Sequence, residues 1–235
     1  MTINLGAVLV LTLDTSTPAV TAAVSRVSRP ELVETVATHT EVATNRHGEL
    51  LAPMIETVLR EAAATPGDLA AIGVGLGPGP FTGLRVGIVT AAALGDALGI
   101  PVYGECSLDV ISSSLPHGEN RYAVLTDARR KQVYWASYDD TGGRVEGPDI
   151  ATPADLEAHL SGRVTHLAGA GALAYREHFG GFTIIEEPAY PDAAALGRLI
   201  AAKVTSAAPG DDLTPLYLRR PDATPPGRPK QVTPV

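Results

Sequence analysis

The residues with the clearest chemical potential form a glycine- and proline-rich stretch, Gly73-Val-Gly-Leu-Gly-Pro-Gly-Pro-Phe-Thr-Gly-Leu-Arg-Val-Gly87. A strand, a glycine-rich turn and a helix N-terminus often bind phosphate, because the first N–H groups of a helix have no partner within it. Here no Lys-Ser or Lys-Thr pair follows the glycines, and no run fits G-x-G-x-x-G. Pro78 and Pro80 also remove two N–H groups. The pattern therefore favours a stiff turn that aims a helix over a phosphate cradle.

Other candidates for chemistry are scattered along the chain. His47 and Glu49 could form a general base and its orienting carboxylate, but a glutamate also suits the positive end of a helix, and we expect a surface or capping role. Cys106 and Asp109 are two possible metal ligands without a nearby histidine, so we predict no metal site. No G-x-S-x-G elbow supports a serine nucleophile. We therefore predict no catalytic residue.

The elements that must position these residues follow an α/β order. The first half predicts strands over 7–13, 20–27, 32–38, 69–76 and 101–104. Helices are expected from Asn45, with Pro53 inside, and over 82–98. Three strands, a helix, a strand, a helix and a strand are the order of a ribonuclease H-like half, as in the actin, Hsp70 and sugar-kinase superfamily.

The second half predicts a smaller copy of the same kind. Its expected helices and strands are 108–115 (helix), 122–125 and 132–138 (strands), 155–160 (helix), 164–168 (strand), 172–179 (helix), 182–185 (strand) and 192–207 (helix). We therefore expect an α/β fold of two ribonuclease H-like subdomains, with mixed sheets flanked by helices and the second one reduced. The first would span residues 1–104 and be joined by the helix 192–207, the second would span 105–191, and 219–235 would be a mobile proline-rich tail.

Composition narrows the class of protein. The 235 residues are 45% hydrophobic and 19% charged, as in ordinary globular proteins, and we expect no run that crosses a bilayer. The apolar run before Asp14 lacks a basic start and a cleavage site, so we predict no signal peptide. The single cysteine, Cys106, fits a reducing compartment, and the expected location is the cytoplasm.

The net charge of −8 argues against a surface that binds nucleic acid by itself. Local basic points occur at Arg129-Arg130-Lys131 and in the tail, where Arg219, Arg220, Arg228 and Lys230 alternate with prolines. We expect a solvated face and a disordered tail at these places. Asp127 and Arg129 are expected to pair across a hairpin.

Several separated motifs together resemble the TsaB family. They are Leu13-Asp-Thr-Ser16, His47-Gly-Glu49 with Leu51 and Pro53, Gly77-Pro-Gly-Pro-Phe-Thr-Gly-Leu-Arg85, Asp127-Ala-Arg129 with Val133-Tyr134, and Pro215-Leu-Tyr-Leu-Arg219. The resemblance runs from about residue 8 to residue 138 and returns at the C-terminal motif. The resemblance implies that the chain is the dimerisation subunit of the bacterial machinery that makes tRNA threonylcarbamoyladenosine. This family was formerly grouped with glycoproteases.

The resemblance also implies a comparison with the catalytic paralogue, TsaD. That family follows its loop and helix with Asn-His-x-x-x-His, whose histidines ligate a metal. This chain reads Gly104-Glu-Cys-Ser-Leu-Asp-Val-Ile111, which places Ser107 and Ile111 at those positions, and neither replaces an imidazole. The expected partners are thus a TsaD-like subunit that carries ATP or ADP and a metal, a TsaE-like ATPase, tRNA only through the complex, and a second copy of the chain when it is alone.

The same superfamily resemblance places a phosphate contact at the first hairpin. Asp14 stands where the superfamily has an Asp for a metal-bound phosphate, but Ser16 replaces the following glycine and hinders close approach. Asp14 and Thr15 are our candidate nucleotide-binding residues, although the serine weakens this prediction. A self-sufficient ATP-dependent transferase or kinase is the alternative function that would use them. Glycoprotease activity is a third possible function, and it would require a bound metal ion.

A stripe of small residues, Gly83, Gly87, Ala91 and Gly95, runs along one side of the second predicted helix and suggests a contact surface. Small residues recur at i, i+4, and interior glycines cost about 0.5 to 1 kcal/mol each relative to alanine, so they need a compensating role. Close packing against the chain's own sheet is one such role, and a partner helix is the other. The resemblance implies that the two helices of this half meet the partner. The expected interface residues are Gly83, Gly87, Ala91, Gly95, Leu50, Met54, Ile55, Val58 and Arg85.

Overall fold

The computed structural model describes residues 6–116, 118 and 120–219. His117 and the predicted tail beyond Arg219 lie outside this described part, and with them Arg220, Arg228 and Lys230. The strands are β1 (Val8–Asp14), β2 (Ala19–Arg29), β3 (Leu32–Val42), β4 (Leu69–Gly75), β5 (Val102–Glu105), β6 (Tyr122–Asp127), β7 (Val133–Tyr138), β8 (Arg144–Ala151), β9 (His166–Ala168) and β10 (Thr183–Ile185). The helices are α1 (His47–Glu61), α2 (Phe81–Leu98), α3 (Ser107–Ser112), α4 (Pro153–Leu160), α5 (Ala170–Ala174) and α6 (Ala193–Thr205).

Two five-stranded sheets repeat one topology. The first has the order β3-β2-β1-β4-β5, and the second has the matching order β8-β7-β6-β9-β10. In each sheet the first three strands are antiparallel, and the last two run parallel to the first. The second copy is the smaller one, because β9 and β10 have three residues each. The predicted fold of two ribonuclease H-like subdomains is confirmed.

The first sheet is covered on both faces. Leu11 and Leu13 of β1 pack with α1 and α2, whereas Val10 packs with α6. This alternation follows from the two-residue period of a strand. Thr12 also faces α6, and its Oγ1 donates a hydrogen bond of 2.6 Å to the carbonyl of Ala193. Helix α6 therefore packs on the first sheet, although it follows the second sheet in sequence.

The segment after α6 runs back along the first sheet as an extended strap, residues 208–219. The Asp211 carboxylate accepts hydrogen bonds from the Gly104 amide at 3.0 Å and from Lys203 Nζ at 2.7 Å. Further along, the Leu216 amide donates to the carbonyl of Leu76 at 2.9 Å. Leu216 also packs against the core of the second subdomain, so the strap contacts both halves.

By length and composition α2 is apolar enough to cross a membrane, although its residues do not form an uninterrupted apolar run. It contacts the sheet through Leu84 and Ile88, as the core helices of globular proteins do. About a third of its most apolar window is buried. Val86, Leu94 and Leu98 are partly buried and also pack against this core, whereas Phe81 and Val89 are exposed.

The small residues predicted as a contact surface on α2 face inward. Gly83, Gly87, Ala91 and Gly95 are all buried. A Cβ at Gly87 would lie 2.5 Å from Oγ1 of Thr15, and one at Gly95 would overlap the Val102 side chain. The predicted stripe interface is therefore wrong: the glycines let α2 approach β1 and β5.

The apolar residues predicted to be exposed on α1 also belong to the core. Met54, Ile55 and Val58 are buried against the first sheet, and Leu50 is half-buried beside them. Their helical spacing is that of a core-facing stripe, which needs no partner. Met54, Ile55 and Val58 are therefore not available to another chain, and the prediction that they are interface residues is corrected. Arg85 alone among the predicted interface residues is exposed.

We expect Gly87→Ala to lower the free energy of unfolding by about 1 to 3 kcal/mol, although alanine favours helix formation. Thr15 Oγ1 cannot move away from the new methyl group without breaking its own buried hydrogen bonds. The matched control is Gly48→Ala in α1, where a Cβ meets nothing within 4 Å and should stabilise by up to about 1 kcal/mol. Urea unfolding of both variants measures the difference, and equal shifts would contradict the packing argument.

Candidate functional site

The carboxyl end of β1 holds a buried carboxylate that binds three parts of the chain together. Asp14 is 1% exposed. Its Oδ2 accepts a hydrogen bond of 2.6 Å from Ser107 Oγ, and its Oδ1 accepts one of 2.7 Å from the Ser16 amide. Ser107 Oγ in turn accepts from the Gly77 amide at 3.1 Å. The network therefore joins the first hairpin, the glycine loop and α3.

The neighbouring Thr15 fastens the first hairpin to α2. Its Oγ1 donates to the carbonyl of Gly83 at 2.8 Å and accepts from the amide of Gly87 at 3.0 Å. Both partners belong to the first two turns of α2. Thr15 is also 1% exposed, and its single O–H donor is already used within the chain, so it has no donor left for a phosphate oxygen.

The glycine loop lies directly on this hairpin. A Cβ at Gly79 would overlap the carbonyl of Ser16, and one at Gly75 would overlap the Asp14 carboxylate. Glycine is required at both positions because backbone or carboxylate occupies the space of the side chain. The loop itself therefore fills the space beside the hairpin.

These contacts correct the prediction that Asp14 and Thr15 contact a nucleotide. A phosphate contact needs a reachable donor or a carboxylate that can hold a metal, and both side chains are buried and hydrogen-bonded within the chain. Burial raises the pKa of the Asp14 carboxyl above its ordinary value of 3.8, and the hydrogen bonds from Ser107 and Ser16 oppose that shift. The hairpin thus has a structural role.

The outward side of α2 presents small and apolar side chains to solvent. Val89 is 62% exposed at its centre. Arg85 lies one turn before it, and Ala92 and Ala93 lie one turn after it, all exposed. We call Arg85, Val89, Ala92 and Ala93 the outer face of α2. A row of small residues around one valine lets another backbone approach closely.

An aromatic stack with an arginine stands at the beginning of this helix. The rings of Phe81 and Tyr217 stack with centroids 5.1 Å apart and planes inclined by 27°. Arg85 Cζ lies 3.9 Å from the Phe81 centroid, and Arg85 Nε donates to the Tyr217 hydroxyl at 3.0 Å. The ring stack and the hydrogen bond to Tyr217 hold the strap against α2, and the cation–π contact places Arg85 over Phe81 of the same helix. Phe81 is 41% and Tyr217 37% exposed, so the stack remains accessible.

A cleft of about 380 Å³ opens between the two subdomains next to the stack. His47 lines it, but His47 Nε2 lies 2.7 Å from the carbonyl of Thr17, so this nitrogen donates a structural hydrogen bond. Glu49 instead accepts from Arg46 Nε at 3.1 Å, which leaves it outside the contacts of His47. The other residues that line the cleft are Pro18, Thr44, Asn45, Gly48, Pro80, Phe81, Thr82, Gly83, Val86, Asp127 and Arg129.

Comparison with known proteins gives the family. The model of the TsaD family, tRNA N6-adenosine threonylcarbamoyltransferase, matches residues 32–189. An uncharacterized protein of Mycobacterium tuberculosis is 46% identical over 92% of this chain and 94% of its own length. The TsaB protein of Escherichia coli is 31% identical over 56% of each chain, and that of Bacillus subtilis is 33% identical over 43% of this chain and 44% of its own.

The chain belongs to the TsaD family and is a TsaB-like member of it. The structure of YeaZ from Pseudomonas aeruginosa agrees, with a TM-score of 0.72 and 27% identity over 89% of this chain and 100% of that one. The recognition of the TsaB family from sequence motifs is therefore confirmed.

This TsaB-like chain uses for packing the positions that the resemblance aligns with metal-binding histidines. Ser107 bonds Asp14, and Ile111 is buried in the core of the second subdomain. Nearby, burial raises the pKa of the Cys106 thiol to about 12, so the thiol stays protonated. Asp109 accepts a hydrogen bond of 2.7 Å from the Tyr138 hydroxyl. Within residues 6–116, 118 and 120–219, no three His, Cys, Asp or Glu side chains come together as a metal site.

The β6–β7 hairpin of the TsaB-like chain has an unusual basic loop. Arg129, Arg130 and Lys131 have φ values of 60°, 52° and 58°, so three consecutive residues without glycine are left-handed. Each such residue costs about 1 kcal/mol or more. The backbone amide of Arg129 donates a hydrogen bond of 3.0 Å to the Asp127 carboxylate, which closes a local turn at the end of β6. The ion pair across the hairpin that the sequence predicts for these two residues is therefore replaced by a backbone contact. The loop projects these side chains into solvent.

Sequence reasoning missed Val89, Phe81 and Tyr217 as surface residues. Val89 follows Arg85 by four residues, which is a signal for a shared helix face. The sequence does not show which side of α2 points outward, because helical spacing alone allows either the glycine side or the Arg85 side to face the sheet. Tyr217 belongs to the C-terminal motif of the resemblance, and its contact with a helix 132 residues earlier depends on the fold.

We expect Asp14→Asn to change how stability depends on pH. Because the folded state raises the pKa of Asp14, its protonation stabilises the fold fully below pH 3.8, and this contribution is lost as pH rises through the raised pKa. The free energy of unfolding of the wild type, relative to Asp14→Asn, should therefore fall as pH rises. Urea unfolding from about pH 4 to about pH 7 measures this difference.

Asp68→Asn is the matched control for this experiment. The hydrogen bonds from Thr65 lower the pKa of the exposed Asp68 carboxyl below 3.8. Its contribution is present above pH 3.8 and is lost only as pH falls through the lowered pKa, so the corresponding difference should stay nearly constant from about pH 4 to about pH 7. An equally constant difference for Asp14→Asn would contradict the assignment of Asp14 as a buried carboxyl with a raised pKa.

Proposed function

We propose that this chain is a noncatalytic subunit that binds a TsaD-like transferase and supports threonylcarbamoylation of the tRNA adenosine next to the anticodon. Membership of the TsaD family and similarity to proteins named for tRNA threonylcarbamoyladenosine biosynthesis support a role in that pathway. The finer proposal concerns how the chain takes part: it contributes a surface to the complex.

The observation that carries this proposal is the outer face of α2. Val89 exposes an apolar side chain between Arg85 and the small residues Ala92 and Ala93, and exposed apolar area of this kind often marks a protein contact. Ala92 and Ala93 extend the surface toward the end of the helix. We propose that a helix of the TsaD-like subunit packs here, with the buried glycines holding α2 in place from behind.

The internal use of the first hairpin supports a noncatalytic role. Asp14 and Thr15, which the alternative transferase or kinase would need, give their polar atoms to Ser107, Ser16, Gly83 and Gly87. We therefore propose that ATP or ADP and the metal reside on the TsaD-like partner. A TsaE-like ATPase, tRNA held through the complex, and a cytoplasmic location complete the proposal. Calorimetry that finds ATP binding to the isolated chain, abolished by Thr15→Val, would instead favour the alternative.

Val89→Glu should weaken association with the TsaD-like partner at least about tenfold, because the new carboxylate would be desolvated in an apolar contact. The substitution should leave the chain's own stability within about 0.5 kcal/mol, since Val89 is an exposed position. Co-purification and calorimetry with the partner of the same cell measure the effect.

Val145→Glu is the matched control, because Val145 is 68% exposed on β8 of the second subdomain. It should bind the partner like the wild type. If Val89→Glu binds equally well, the outer face of α2 is not the contact. If Val89→Glu removes only self-association in sedimentation, then the occupant of this face is a second copy of the chain.

A further inference from the structure

Four cations without an ion pair border one cleft of this acidic chain. Arg85, Arg129, Lys131 and Arg219 each have no carboxylate within 4 Å in the part of the chain that the structure describes. Other arginines without an ion pair among the described residues, such as Arg29 on β2 and Arg198 on α6, belong to elements that do not line this cleft. We call Arg85, Arg129, Lys131 and Arg219 the basic rim.

A continuous path of contacts connects the four members of the rim. Arg85 binds Tyr217 of the strap, and two residues later Arg219 hydrogen-bonds the side chain of Gln132. Gln132 follows Lys131 directly, and the backbone amide of Gln132 donates a hydrogen bond of 3.0 Å to the backbone carbonyl of Arg129. Arg129 lines the same cleft as Phe81, the ring beneath Arg85. The rim therefore borders the cleft from α2, from the strap and from the β6–β7 loop.

The fold keeps these charges available for an outside anion. Arg85 and Arg219 use their donors on neutral partners, a phenol and an amide, so their positive charge is not cancelled. Asp127 is the carboxylate that lines this side of the cleft, and it accepts from the backbone amide of Arg129, with no ion pair to the Arg129 side chain. The left-handed loop turns Arg129 and Lys131 toward solvent.

The chemistry around the rim fits RNA better than an acidic protein segment. Exposed cations spaced along a path neutralise successive phosphates, which supplies most sequence-independent affinity for nucleic acids. Tyr217, which is 37% exposed and stacks on Phe81, is an aromatic ring against which an unpaired base can stack. An acidic peptide would use the cations but not this ring.

We infer that the basic rim binds the phosphate backbone of an RNA, which lies next to the partner bound on the outer face of α2. This inference rests on the proposed function and adds to it a direct contact of this chain with the RNA. The net charge of −8 makes the contact weak for the isolated chain, so the rim acts within the complex.

The test is the affinity of an unmodified, fluorescently labelled tRNA transcript for the complex of this chain with its TsaD-like partner, measured by anisotropy over a salt series. The double variant Arg129→Asn, Lys131→Asn removes two charges, and asparagine tolerates the left-handed backbone at both positions. Loss of two phosphate contacts should weaken binding about tenfold at physiological salt and make the slope of log K against log salt shallower by about 1.5 to 2.

The matched control is Arg29→Gln, Arg198→Gln, which makes the same change in net charge on β2 and α6. It should bind the transcript like the wild type. Equal affinity and slope for the rim variant and the control would overturn the inference and leave the proposed function intact. A rim variant that no longer joins the complex would overturn it in favour of a protein contact. If the wild-type chain itself fails to join the complex, the proposed function falls and the inference with it.

Discussion

The hydrogen bond from Ser107 to the Asp14 carboxylate is the constraint on which the arrangement of the first subdomain depends. A buried carboxylate is costly unless its oxygens are paired, and here the partners come from the hairpin itself and from the start of α3. Ser107 also receives the Gly77 amide, so satisfying one carboxylate places the glycine loop. The loop then determines where α2 begins, and Thr15 fixes its first two turns.

This constraint explains the glycines better than a ligand would. Gly75 and Gly79 are glycine because Asp14 and Ser16 occupy the space of a side chain, and Gly83 and Gly87 because Thr15 bonds the backbone of α2. The glycine motif, which resembles those of phosphate sites, here lets the loop and α2 pack closely against the first hairpin. In this TsaB-like chain the space beside the first hairpin is therefore filled by the chain's own atoms.

Because one side of α2 packs against the first sheet, the opposite side of the helix faces solvent. Val89 and its small neighbours face solvent because Leu84, Ile88 and Ala91 face the sheet. At the beginning of the same helix, the strap brings Tyr217 and Arg219 beside residues of both subdomains. An apolar helix face and a basic rim therefore adjoin each other, which suits a subunit that contacts a protein and an RNA in one assembly.

The sequence by itself determined the element order, the two-subdomain fold and the family, because apolar periodicity and separated motifs are local properties. It missed β8, whose Gly147-Pro148 pair and absence of buried side chains are typical of an edge strand rather than a central one. Only the tertiary structure decided that the glycine stripe of α2 faces β1, that Asp14 and Thr15 are internally bonded, and that Arg85 meets Tyr217. Each of these depends on contacts between residues that are 68 to 132 positions apart, and such contacts leave no local pattern in the chain.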